Sequence, residues 1–492
     1  MDSGARGGVS HGGFEWPNQS HILRPYGAIA PRVVTPTSKQ GIPDRPSLLM
    51  ITNPEVVTAF GISATPEPSG VTYWSAYERP WFPWPRSPIY RTLLPHLSFS
   101  GAQIVPIWKN AAGRTVIAWW TSGRHRMLLV GLDVESEIIR YRQGDPERAE
   151  SQSVRSAWGF EWERPAYLYD GQILPDYATT PWADRLGYCL AERWAELSGE
   201  PLLEPLPFGA RGLIILTGDD DQAHLEKYAE QLAAIGNVPI TYFLHPQTKH
   251  TSETIRSLGS QVQIGLHPDA LTKPEAYDDL CADQAHWIEQ LCGSKIRLVR
   301  NHGYLNRGYL GHLSAWERNG LELDVNCPGV DGTALNGSFL PMRVRRRDGT
   351  WSAHFSLLTA FGDGMVYALK LTQRQATKRV RRLVKQIEAT RPGVLVFNFH
   401  PQNIADTRQL HGEIRSLAGR QGWHAMGLES YLNWVQGLDA LAIEQSEGSR
   451  YLKVSRPMEG LVLRAYSQGG WNQTFCTTVS DRYPWESGVG ND

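Results

Sequence analysis

Between residues 212 and 399, short apolar runs alternate with stretches of helical periodicity, and this alternation restricts the possible folds more than any other feature. Residues 212–217 (GLIILT), 238–244 (VPITYFL), 262–266 (VQIGL) and 393–399 (GVLVFNF) read as buried strands. After the first, Leu225, Tyr228, Ala229 and Leu232 recur at helical spacing, and Gly236 stands where a helix C-cap belongs. Val380, Leu383, Val384 and Ile387 mark a later amphipathic helix. Strands alternating with helices imply parallel βα units, hence an α/β fold. In parallel α/β barrels, functional groups gather at the C-terminal ends of the strands.

At 492 residues the chain exceeds what one hydrophobic core usually serves, so two or three domains are expected. Residues 1–44, rich in Gly, Ser, Pro and His, read as a disordered or extended arm. Apolar runs at 47–52 (SLLMIT), 116–120 (VIAWW) and 127–132 (MLLVGL), with Pro- and Trp-rich loops such as 80–85 (PWFPWP), indicate a small α/β accessory domain over 45–140. Residues 141–205 are a connector with a helix near 183–197, residues 206–440 carry the βα units, and 446–492 form a small β segment.

Composition excludes some functions. With a net charge of −1 there is no basic footprint, so nucleic acid is not an expected partner. No run is long and apolar enough to span a bilayer, and no signal-peptide core is visible, so no membrane partner is expected. The five cysteines are scattered without a CxxC pair, which fits a reducing compartment and a cytoplasmic location. The eighteen Trp suit core packing first and sugar stacking second.

Four clusters at or just after strand ends carry the chemistry. Asp219, Asp220 and Asp221 follow the first strand; three adjacent carboxylates repel one another unless a cation or a helix N-terminus neutralises them. N-capping by one Asp, with the others solvated, explains the run equally well. His267 follows an apolar strand in Gly265-Leu266-His267-Pro268, as a ligand or as a hydrogen-bonded structural His. Arg300, Asn301, His302, Gly303 and Tyr304 combine a fixed cation, a candidate ligand and a flexible glycine; Arg300 can hold a carboxylate ionised. His400 ends the strand 393–399 and suits general acid or base work. Each cluster is weak alone, but four in order are not.

In this order the motifs resemble those of the NodB-type polysaccharide deacetylases, carbohydrate esterase family four. That family's first motif, Thr-Phe-Asp-Asp-Gly, is similar to Thr217-Gly218-Asp219-Asp220-Asp221; the others are matched by His267, Arg300, Asp324 and His400. The resemblance covers about residues 206–435. It implies a deformed (β/α) barrel and a metal-dependent hydrolase acting on an N-acylated carbohydrate or related small molecule. Asp220 and His267 would hold a divalent ion, zinc foremost, with Asp219 as general base aimed by Arg300. His400 would be the general acid, oriented by Asp324. A backbone N–H near Tyr304 would serve the oxyanion, and Asn398 and Asn403 are candidates to line the site, although they read more readily as loop or surface residues.

The family's second motif is His-x-x-x-His, but position 271 is Leu. His302 is therefore the expected third ligand, with His312 a less well-placed substitute. The Gly-rich stretch 331–365 suits a substrate wall or ordinary turns, and the basic runs 343–347 and 378–382 suit solvated faces. A non-catalytic carbohydrate-binding or assembly protein on the same barrel is the alternative. A glycosidase using Asp219 and Asp324 would leave the His clusters without roles.

Overall fold

The computed structural model describes residues 20–28, 31, 33–36, 47–58, 61–74, 90–122, 125–150, 179–221, 223–305, 307–327, 337–390, 392–446, 449–467, 470–479 and 482–485. The Pro- and Trp-rich loop 80–85, residues 1–19, most of the connector before residue 179, and Asp331 with Gly332 lie outside the described residues.

The larger sheet is built from Gly212–Asp219 (β1), Ile240–Leu244 (β2), Val262–Leu266 (β3), Leu298–Val299 (β4), Leu323–Asp324 (β5), Met342–Arg345 (β6), Trp351–Ser356 (β7), Ala360–Phe361 (β8), Gly393–Asn398 (β9) and Trp423–Ala425 (β10). Its order is β6-β7-β5-β4-β3-β2-β1-β9-β8, with β10 also paired to β1. Every pairing is parallel except β6 with β7. The fold is α/β with a curled, open, barrel-like parallel sheet. All eight residues of β1 and all six of β9 are buried, as expected where helices cover both faces of a parallel sheet. The helix after β1, Leu225–Ile235, buries Tyr228, Gln231 and Ile235 and ends at Gly236, whose φ of 64° suits glycine.

A second sheet has nine strands, in the path Val33–Val34, Leu48–Met50, His125–Val130, Thr115–Ser122, Ile104–Asn110, Val71–Trp74, Tyr90–Arg91, with Ser63–Glu67 and His96–Ser100 alongside. The first three run parallel and the rest pair antiparallel. The three expected apolar runs are strands here. Some of the others, such as the mostly exposed Ser63–Glu67, carry no apolar run to reveal them. Ile22, Leu23 and Tyr26 are buried, so this part of the expected arm is packed. Met458–Ser467 pairs antiparallel with Leu202–Leu203 on one side and with Gly470–Val479 on the other.

One apolar cluster joins these regions. It includes Tyr26, Tyr90, Trp108, Leu186, Ile215, Val396 and Leu461, and at its centre lies the helix Trp182–Ser198, buried along most of its length. On the helix Val134–Gln143, which follows the strand His125–Val130, buried Glu137 accepts from Leu93 N at 2.9 Å, Leu94 N at 2.7 Å and the Tyr90 hydroxyl at 2.7 Å. Glu137→Ala leaves these donors without an acceptor. It is expected to lower stability by about 3 kcal/mol or more, read as a lower unfolding midpoint in denaturant.

Candidate active site

Asp219 is the last residue of β1, and its neighbours alternate about it. In a strand successive side chains face opposite sides, so Asp219 turns into the barrel and Asp220 away from it. Asp219 Oδ1 accepts from Arg300 Nη1 at 3.0 Å, and Oδ2 accepts from Asn398 Nδ2 at 2.6 Å. Arg300 Nη1 also donates to Asn398 Oδ1 at 2.6 Å and to Thr217 Oγ1 at 2.8 Å. Burial raises the Asp219 carboxyl, but the Arg300 guanidinium together with the His267 and His400 imidazoles outweighs it and holds the group below the ordinary carboxylate value.

Asp220, expected as a metal ligand, is buried against the helix Leu225–Ile235 and accepts a hydrogen bond from the Tyr228 hydroxyl. Asp221, with a left-handed φ of 38°, turns back to the barrel side. Its Oδ1 lies 3.3 Å from His267 Nε2 and 3.6 Å from His302 Nε2. The carboxylate that meets the two expected imidazoles is therefore that of Asp221, and this corrects the expected ligand set.

These three side chains offer one ligand atom each, all within 4.8 Å of one another. His267 Nδ1 is 2.6 Å from the Arg300 carbonyl, which can only accept, so Nδ1 carries the proton and Nε2 presents a lone pair. Among the described residues, buried Asp221 Oδ1 has no hydrogen-bond donor. A carboxylate oxygen and two imidazole nitrogens around one point fit a divalent ion such as zinc. Leu271 and His302 both line this cavity. His312 lies elsewhere, buried between the Tyr277 and Trp316 rings, and burial pushes its pKa down to about 3.

His400, two residues beyond β9, lies across the site. Its Nε2 is 3.2 Å from Asp221 Oδ2 and 3.9 Å from Asp219 Oδ2. Its Nδ1 and its backbone N–H both reach Asp363 Oδ2 at 2.8 Å, and Asn403 Nδ2 donates to the same oxygen at 2.7 Å. Burial lowers the imidazole, but Asp363 and Asp221 outweigh it and raise its pKa well above the ordinary histidine value. Gly362 permits this arrangement: a Cβ there would stand 2.1 Å from the Asn398 carbonyl oxygen, so only glycine brings Asp363 against β9.

Asp324 does not orient His400. It is buried 3.1 Å from His354 Nε2, on β7 beside its own strand. Four strands stand between β5 and β9, whereas β8, just before Asp363, is next to β9. Tyr304 lines the cavity, but its backbone N–H donates to the Asn301 carbonyl at 3.0 Å and is not free for an oxyanion.

The cavity has a volume of about 420 Å³, and Phe361, Gly364 and Tyr367 form part of its wall. The 331–365 stretch thus contributes to that wall through its last residues. Sequence reasoning placed Asp221 in the acidic run without making it a ligand, and gave no role to Asp363, Asp269 or His245. His245 carries the same signal as His267 and His400: all three begin a His-Pro pair directly after a buried strand or one residue beyond it.

No protein-family model matches the sequence, and no curated protein matches it. Solved structures do. A Mycobacterium smegmatis protein described provisionally as a polysaccharide deacetylase is 15% identical, with 49% of this chain and 96% of that chain covered and a TM-score of 0.38. A family-four carbohydrate esterase from Streptomyces lividans, in complex with acetate, is 15% identical over 44% of this chain and 92% of its own, with a TM-score of 0.30. A family-four acetyl xylan esterase from Clostridium thermocellum, in complex with a cobalt ion, is 17% identical over 45% and 90%, with a TM-score of 0.27. Over about half its length, this chain is similar in structure to polysaccharide deacetylases and family-four carbohydrate esterases, at low identity.

Proposed function

We propose that this protein is a metal-dependent hydrolase that removes an acyl group from an N-acylated sugar or a related small amide. One observation carries the reading: the ligand atoms of Asp221, His267 and His302 converge between an Arg300-held carboxylate and an Asp363-held imidazole, at one cavity. When bound there, a divalent ion, zinc foremost, supplies Lewis acidity toward an amide carbonyl and lowers the pKa of a water to about 7.

The chain's own groups then divide the proton transfers. Asp219, kept ionised by Arg300 and braced by Asn398, accepts the proton of the attacking water. His400, with Nδ1 held by Asp363, gives its Nε2 proton to the departing nitrogen, so that an amine and a carboxylate leave. Phe361 and Tyr367 present apolar surface near the histidines, which suits the methyl of an acetyl group and keeps bulk water from the reacting carbonyl.

Metal analysis and acetate release from N-acetylated sugars test this together. One zinc or cobalt ion per chain and metal-dependent acetate release are expected. Sugar binding without acetate release in the metal-loaded protein would establish a binding module instead. Reducing ends released in place of acetate would establish a glycosidase.

A further inference from the structure

An imidazole presents a lone pair to a cation only while its other ring nitrogen keeps the proton, and an acceptor at that nitrogen decides which one does. For His267 the acceptor is the Arg300 carbonyl. For His302, on a loop rather than a strand end, the facing acceptor is Asp269: Nδ1 stands 3.1 Å from Oδ1, an ion-pair contact whose angle falls outside hydrogen-bond geometry.

Asp269 is itself held from three sides. Leu271 N donates to Oδ1 at 3.1 Å. Gln284, on the helix Tyr277–Cys292, accepts from the Asp269 backbone N–H at 2.8 Å and donates to its carbonyl at 3.0 Å. His245 Nε2 lies 3.2 Å from Oδ2. The direction of this last bond is fixed, because the backbone N–H of Gln247 donates into His245 Nδ1 at 3.1 Å. A backbone N–H can only donate, so Nδ1 is bare and the proton of neutral His245 sits on Nε2, pointing at Asp269. His245 is buried directly after β2, and its ring packs edge-on against His302 with centroids 4.8 Å apart.

We propose that His245 and Asp269 are positioning residues that keep the proton of His302 on Nδ1 and aim Nε2 at the ion shared with Asp221 and His267. This rests on the metal-hydrolase reading above. His245, Asp269 and His302 also have donor atoms within 4.8 Å of one another, which suggests a second cation site. The Gln247 bond argues against it: a cation on His245 Nε2 would require the ring to lose its only proton, and His302 would have to bridge two ions as an imidazolate.

The test uses the full chain with Zn²⁺ and Co²⁺ alone, by titration calorimetry and by the visible spectrum of bound Co²⁺. Asp269→Asn keeps the shape and removes the charge; His245→Phe keeps the ring and removes the donor. One ion per wild-type chain is expected. Its affinity should fall about 10–100-fold in Asp269→Asn, less in His245→Phe, with an altered Co²⁺ spectrum in both. Unchanged affinity and spectrum in both variants would overturn the positioning role while leaving the hydrolase reading intact. Two ions per wild-type chain would overturn it in favour of a second site. Should Asp269→Asn fail to fold, His245→Phe decides. A wild-type chain that binds no ion would remove the hydrolase reading and this proposal together.

Discussion

Asp221→Asn is expected to leave a folded protein with well under one metal ion per chain after dialysis, and to slow turnover about 10³-fold, because the ion is worth several kcal/mol in the transition state. Asn is the right replacement. It tolerates the left-handed backbone at this position, φ 38°, so the change acts on the ligand and not on the loop. The matched control is Asp220→Asn. Asp220 faces the helix and the Tyr228 hydroxyl, and an amide oxygen can still accept that bond. Full metal content and near-normal turnover are expected. The converse pattern, with metal lost in Asp220→Asn and kept in Asp221→Asn, would return the ligand role to Asp220.

Asp363→Ala is expected to lower turnover about 10²–10³-fold at unchanged metal content, the range for losing a positioned general acid. Three donors converge on Asp363 Oδ2: the backbone N–H and Nδ1 of His400, and Asn403 Nδ2. Without that oxygen the imidazole loses both its direction and the charge that keeps it protonated. Asp324→Ala separates the two candidate partners. It strips His354 of its carboxylate inside the core and should cost about 1–3 kcal/mol of stability, with turnover of the folded fraction preserved. Stability and kcat measured on both variants give opposite patterns. A large kcat loss in Asp324→Ala alone would reverse the assignment.

The two corrections have different physical origins. Asp221 was within reach of the sequence. Extending the strand 212–217 by two residues and applying its two-residue alternation sets Asp219 and Asp220 on opposite faces, which leaves Asp221 as the next carboxylate able to turn back, as its left-handed φ of 38° does. Alignment to a motif ignored that alternation. His245 was equally visible as a third strand-end His-Pro pair. Asp363 was not. Nothing local distinguishes Gly362-Asp363-Gly364 from a turn, and its role depends on β8 lying beside β9.

What the sequence alone determined is the part governed by local periodicity. Apolar runs and helical spacing specify the parallel βα units, and strand ends carry Asp219, His267, Arg300 and His400 because side chains there project beyond the sheet. Tertiary structure alone decided who faces whom. Strand order, absent from any one segment, separates Asp324 from His400 by four strands and places Asp363 next to it. Likewise, only the folded loops bring His302 to Asp221 and His267, since the proximity of groups distant in sequence is set by packing and not by local pattern.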